Sequence, residues 1–356
     1  MEARRPVREK VLNSARPNPS ASVQGQGAYA GLALLAVVLL ALALVPHLVE
    51  KFYVQFFAKI LIMGIFAMSL DLLLGYTGLV SFGHAAFYGV AGYALALLTP
   101  QYQAANFWTS FPLAIAASGL VALLIGFFVV RMQGIYFIMV TLAFAQMLFF
   151  LFYDTKIAGG NDGIYIDMRP VAKIGDWQPF NLDNFTHVYY LVLVMFVAVY
   201  LLLRVVLASP FGRVLAGIKA NEHRMNSLGY ATFGYKLACF VLAGATAGVA
   251  GYLAAVQFGV VNPEMMGWHL SGAVMMMVIL GGMGTLRGPI IGAAVWMLLE
   301  LWFQGLTKHW HLLMGGFIVL TSIMLPEGLV GLFSGLVRRL LGKHRPEARP
   351  SSGGQA

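Results

Sequence analysis

Long apolar runs separated by short polar stretches dominate the chain. Runs at 28–45, 52–74, 79–98, 111–130, 135–153, 188–207 and 237–258 are each close to 20 residues, the length at which a helix crosses a hydrocarbon layer. In the last third the runs at 270–284, 290–303 and 312–325 are nearer 15. They are short for simple spans and predict broken or tilted helices covered by protein within a bundle. The pattern therefore predicts an all-α fold: a polytopic membrane helix bundle of about ten transmembrane or broken helices. The run at 28–45 has no small-residue cleavage site close behind it and reads as a retained first span.

Composition points the same way. Of the 356 residues, 60% are hydrophobic and 10% charged, whereas a soluble domain runs nearer 45–50% apolar and about 25% charged. This argues against a soluble enzyme, a disordered chain or a nucleic-acid binder with a large water-facing surface. The formal charge of +9 is then loop charge. With ten spans and both termini inside, seventeen Lys and Arg fall inside and five outside, the asymmetry of the positive-inside rule. The resulting division is a basic N-terminal tail (1–27, cytoplasmic), a transmembrane domain (28–325) and a basic C-terminal tail (326–356, cytoplasmic). An outer segment at 154–186 and an inner one at 209–233 interrupt the domain.

Within the spans, small residues recur at helical spacing: Ser81, Ala85 and Gly89; Gly244 and Gly248 with Gly251 nearby; Gly284, Gly288 and Gly292. Such rows let helix backbones approach closely, either as packing alone or as smooth faces lining a passage, with Gly83 and His84 beside the first row. Lys59, Asp71 and Glu300 lie toward the ends of their runs and are expected to reach the headgroups, Lys59 by snorkelling. Cys239, the single cysteine, excludes a disulfide and reads as a small buried hydrophobe. No phosphate-binding G-x-x-x-x-G-K-[ST] loop, H-E-x-x-H pair or G-x-S-x-G elbow occurs. The chain is expected to bind no cofactor and no nucleic acid.

The inner stretch, SPFGRVLAGIKANEHRMNSLGYATFGYK, is more than a plain loop. Ser209 is suited to an N-cap and Pro210 to a first helical turn. Val214, Leu215, Ile218, Met225 and Leu228 supply an apolar face, and Gly229 suits the left-handed position that stops a helix. Such a helix either rests on headgroups or presents a face to another protein. The headgroup reading leaves Glu222 without a role.

This stretch from Gly212 to Gly229, with the Gly- and Ala-rich span behind it, resembles the coupling region of ABC importer permeases. More narrowly it is similar to the LivM-type permeases of branched-chain amino-acid uptake. LDLLLGYTGLVSFGHAAF at 70–87, GGNDG at 159–163 and LGGMGTLRGP at 280–289 carry the same resemblance. The departure is Glu222-His223-Arg224, where many importer permeases have Glu-Ala-Ala. The resemblance implies an inner-membrane subunit that pairs with a second related permease, two ATPase subunits that use the ATP, and a periplasmic binding protein. It implies ATPase coupling through Arg213, Lys219, Glu222, Arg224 and Gly229. It makes Asn161, Asp162 and Trp177 candidate contacts for the binding protein. Related urea permeases share much of the pattern, so urea or another small polar solute is an alternative cargo. An ATPase-independent secondary transporter is the rival class.

Overall fold

The computed structural model describes residues 40–99, 104–155, 158–173, 180–324 and 328–331. It divides into a unit at 1–50 and a unit at 51–356. In the first, residues 40–48 are helical. The predicted N-terminal tail, much of the first apolar run, Trp177 and nearly all of the C-terminal tail lie outside the described residues.

The second unit is built from apolar helices. In chain order they are α1 (Lys51–Leu74), α2 (His84–Leu98), α3 (Phe107–Val129), α4 (Ile135–Asp154) and α5 (Phe185–Ala208). Two polar-faced helices follow, α6 (Pro210–Ala220) and α7 (Glu222–Ser227), then α8 (Thr232–Phe258), α9 (Trp268–Gly281), α10 (Arg287–Leu306) and α11 (Trp310–Met324). Six of them, α1, α3, α4, α5, α8 and α10, are long and apolar enough to cross a membrane, and α2, α9 and α11 are shorter apolar helices. The fold class read from the runs is thus the fold class observed. One small addition is a two-stranded antiparallel pair, Ile164–Tyr165 with Val260–Val261.

Local signals set the boundaries more finely than hydrophobicity did. Asn106 accepts the N–H of Trp108 and starts α3 four residues before the apolar run. Asn184 does the same for α5 through Thr186. Both are side-chain N-caps that satisfy an otherwise orphaned helical donor. In the last third, α10 is longer than its run, with 20 residues from Arg287. Helix α9 instead stops at Gly281, because Gly282 (φ 110°) and Gly284 (φ 76°) leave the helical region.

Two helices form the centre. Helices α1 and α8 are each 83% buried along their spanning windows, against 17–33% for α3, α4, α5 and α10. Helix α8 packs on α3, α2 and α1, while α10 and α9 pack on each other and on α1. The exposed faces of the outer helices are as apolar as the core, for example Leu120, Leu124, Phe128, Leu151, Val194 and Val205. That is expected where the surrounding solvent is hydrocarbon, and close helix packing must then come from shape.

Shape comes from small residues in α8. A Cβ at Gly251 would stand 1.8 Å from the carbonyl oxygen of Tyr88 in α2. Cβ atoms at Gly244 and Gly248 would stand 2.4 and 2.6 Å from the Cβ atoms of Ala122 and Ser118 in α3. Ser118 joins the same crossing by hydrogen bonding to the carbonyls of Phe87 and Gly244. These residues are close helix–helix contacts.

Two of the predicted rows are broken by helix ends. Ser81 precedes α2 and Gly284 precedes α10, so neither shares a helix with the other members of its row. The remaining members pack closely: Gly89 against Met266, Gly288 against the carbonyl of Gly281, and Gly292 against that of Met277.

Gly251→Val should therefore reduce folded protein sharply. The obstacle is a backbone carbonyl, and overpacking of this kind costs about 3 kcal/mol or more. Gly315→Ala in α11, where a Cβ meets nothing within 4 Å, should leave the melting temperature of the purified protein unchanged or raise it. Equal melting of the two variants would show that the α2–α8 crossing is looser than described.

Candidate functional site

The polar segment after α5 is a pair of helices, not the single helix its sequence predicts. Ser209 and Pro210 start α6 as expected, although the Ser209 hydroxyl bonds back to the Val206 carbonyl instead of capping. Helix α6 turns Val214, Leu215 and Ile218 inward and leaves Arg213 exposed. Asn221 ends it in an extended conformation and caps α7 by accepting the N–H of Arg224. Helix α7 stops at Gly229 (φ 86°). The N–H of Gly229 bonds to the Asn226 carbonyl and that of Tyr230 to the Met225 carbonyl. This paired left-handed termination is what a glycine there provides.

Two polar links fasten α6 and α7 to the bundle. Lys219 reaches away from its own helix, and its Nζ donates to the Gly75 carbonyl at 2.6 Å, just past the end of α1. Glu222 accepts from Lys236 Nζ at 2.6 Å, from Gln133 Nε2 at 3.0 Å and from Thr232 Oγ1 at 3.2 Å. Lys236 is almost fully buried, with 4% of its side chain exposed. Lys219 and Glu222, two of the five residues expected to face an ATPase, thus hold this chain together. Arg213 and Arg224 are exposed and make no ion pair among the described residues.

Gly75 belongs to a second knot. Asp71, near the end of α1, is fully buried. Its carboxylate accepts the N–H of Gly284 at 2.7 Å and that of Leu286 at 3.3 Å. Leu286 has φ 53° and is the only non-glycine with positive φ among the described residues, a conformation that persists only where the surroundings enforce it. The expectation that Asp71 reaches headgroups is corrected: a carboxylate satisfied by two backbone donors has no reason to leave the interior. The segments at 70–87, 209–229 and 280–289, scattered in sequence, meet at this knot.

His84 begins α2 fully buried, with Nε2 2.8 Å from Ser69 Oγ and its ring stacked on Phe66. Nearby, Gly83 lies against the Thr141 carbonyl, and Ser81 Oγ and His84 Nδ1 are buried without a protein partner. In the segment between α4 and α5, Asn161 and Asp162 are exposed on a single 3₁₀ turn, Gly160–Asp162. Arg169 ties that segment down through the carbonyls of Leu182, Asp183 and Gln257, with its guanidinium over the Phe185 ring. Burial pulls the Arg169 pKa below its ordinary value, and Asp183 opposes that pull.

A cleft of about 960 Å³ opens among α1, α4, α9, α10 and α11, walled by Met276, Met277, Trp296 and Met314. Lys59 of α1 and Glu300 of α10 face each other on its wall, with Nζ and Oε1 3.8 Å apart. Neither reaches out to headgroups as expected, because each has a partner across the cleft. The sequence does not link them, since they stand 241 positions apart and only helix packing brings them together.

Residues 52–323 match a family described as the permease component of branched-chain amino acid transport systems. The chain belongs to that family. It is 31% identical over 328 residues to the high-affinity branched-chain amino acid transport system permease protein LivM of Salmonella typhimurium, covering 87% of this chain and 77% of the relative. The LivM protein of Escherichia coli is similar to the same extent. No solved structure matches the chain. The matched region runs from the start of α1 almost to the end of α11, so the Asp71 knot, the α6–α7 pair and the cleft all lie within it.

The Asp71 knot and the Glu222–Lys236 pair are separable by mutation. Asp71→Asn leaves one of two N–H donors without its acceptor, at about 1–3 kcal/mol, and should lower the melting temperature of the purified permease. Glu222→Lys puts two ammonium groups together and should do the same, whereas Glu222→Lys with Lys236→Glu should recover most of the loss. A double variant no more stable than Glu222→Lys would argue that the pair does not brace α7.

Proposed function

We propose that this permease and a second, related permease form the membrane pathway of an ATP-driven importer of branched-chain amino acids. Two ATPase subunits would serve the assembly, the α6–α7 pair of this chain seating in a groove of one, and a periplasmic binding protein would deliver substrate at the opposite face. One observation carries the reading. Helices α6 and α7 are fastened to the bundle through Lys219 and Glu222 as well as by the apolar face of α6, while Arg213 and Arg224 are exposed and make no ion pair among the described residues. A mobile tail resting on headgroups would need neither link. The absence of a phosphate-binding loop from the sequence fits ATP hydrolysis on separate subunits.

In this reading the chain is a multi-pass protein of the inner membrane with both termini in the cytoplasm. Residues 1–27 and 326–356 are the cytoplasmic tails around the transmembrane domain. The segment at 154–186 is periplasmic, and its exposed Asn161 and Asp162, with Trp177, contribute to the landing surface for the binding protein. Gly229 sets where α7 ends and so the shape that the ATPase meets. The chain itself binds no cofactor.

Orientation is checked by labelling. Single cysteines at Asp162 and Arg224 on a Cys239→Ala background should react with an impermeant reagent from the periplasmic and cytoplasmic sides respectively. Labelling of position 224 from the periplasm would overturn the topology. Coupling is checked by Arg213→Glu and Arg224→Glu, which should insert and melt like wild type yet lose co-purifying ATPase subunits. In proteoliposomes with all partners, leucine, isoleucine and valine should accumulate with ATP. Accumulation of urea in their place, or uptake without ATP, would favour the alternative cargo or the secondary transporter.

A further inference from the structure

The pair in the cleft differs from the other ion pair found among the described residues. Lys236 and Glu222 are closed at 2.6 Å, with Lys236 buried. Lys59 and Glu300 stand 3.8 Å apart with 33% and 20% of their side chains exposed, beyond the 2.7–2.9 Å or so of a charge-assisted hydrogen bond. Both lie well inside their helices. Lys59 is eight residues past the start of α1 and Glu300 six before the end of α10, about 12 and 9 Å from those ends at 1.5 Å per residue. Charges at such positions in a membrane helix are costly and are retained for a use.

Their surroundings indicate the use. A second pocket of about 230 Å³, lined by Phe52, Gln55, Phe258 and Gln304, adjoins the larger cleft. The two spaces share three lining residues, Lys59, Met297 and Glu300, so the ion pair stands between them. In the larger space the Gln146 amide nitrogen is buried without a protein partner, a hydrogen-bond donor left for something else. Glu264, His269 and His311 line the same cleft. The methionine and tryptophan walls can mould to an aliphatic side chain, and the volume lies within the range of about 300–1,000 Å³ usual for small-molecule sites.

We propose that Lys59 and Glu300 are the recognition pair for the two charged groups of a zwitterionic α-amino acid passing between these spaces. The ligand carboxylate goes to Lys59 and Gln146, and the ligand ammonium to Glu300. Opening the protein's own pair would ordinarily leave two charges uncompensated. A zwitterion supplies both counter-charges at once, so every charge stays paired as the bridge opens and re-forms. Urea has no charges to offer, and a singly charged ligand satisfies only one partner. This deepens the function proposed above and rests on it.

The test uses the intact purified transporter, all permease and ATPase subunits without the binding protein, and radiolabelled leucine. Lys59→Met and Glu300→Gln should each weaken leucine binding at least tenfold with little change in melting temperature. Lys59→Glu with Glu300→Lys should restore binding, because the ligand can turn around. Isopentylamine, which is leucine without its carboxylate, should become the better competitor in Lys59→Met. In Glu300→Gln, 4-methylpentanoate, which lacks the ammonium, should do so. A pair with only a structural role would not produce that crossed preference. Should the single variants melt early, the apolar Lys59→Met with Glu300→Met variant keeps the question answerable, since it leaves no unpaired charge and should melt normally yet bind no leucine. Wild-type leucine affinity in the single variants or in this one overturns the proposal. So does a wild-type complex that imports leucine in proteoliposomes yet binds none without the binding protein. A complete wild-type system that imports no branched-chain amino acid overturns the function proposed above as well.

Discussion

The carboxylate of Asp71 joins the end of α1 to the turn between α9 and α10. Buried backbone N–H groups need a partner, and this turn does not supply one for Gly284 or Leu286 from its own residues. Its chain leaves the helical region at Gly282 and takes positive φ again at Gly284 and at Leu286. Asp71 accepts the N–H groups of Gly284 and Leu286, which stabilises a turn that would otherwise be strained and unsatisfied. Because Asp71 sits near the end of α1, the central helix and the α9–α10 hairpin become one mechanical body.

That body extends in two directions. On one side Lys219 donates to the Gly75 carbonyl, so α6 is fixed to the turn that follows Asp71. On the other, α1 carries Lys59 and α10 carries Glu300, the former twelve residues or about 18 Å along the same helix. Helix α6 is thus linked through Gly75 and Asp71 to the ends of the two helices that hold the cleft pair. The small-residue crossing of α2, α3 and α8 packs beside this body.

Much of the candidate site was legible residue by residue, though with roles displaced. Gly229 was recognised as a helix stop from its position alone, because left-handed termination is a local property of the chain. Asn221 was overlooked, although an Asn that ends one helix and caps the next is also a local signal. Glu222 was read as outward-facing since no sequence rule pairs it with Lys236 fourteen positions later, across a helix end. Lys59, Asp71 and Glu300 all stand toward the ends of apolar runs, where reaching the headgroups is the simplest account. In each case the true partner is brought near by the packing of a different helix.

The order of apolar runs, the all-α class, the family and the presence of a polar helical segment after α5 are determined by the sequence itself. Hydrophobicity and capping act over one or two helical turns, and motif order is linear. Tertiary structure alone decided which glycines pack against which carbonyls, that Ser81 and Gly284 lie off the helices of their apparent rows, and that three distant motifs converge on Asp71. It also decided that a lysine and a glutamate 241 positions apart face one another across a cleft. The physical reason is the same throughout. In a bundle surrounded by lipid, nearly every helix face is apolar, so periodicity carries little information about which face meets which neighbour. Only the three-dimensional fit of small residues and the pairing of a few buried polar groups select the arrangement.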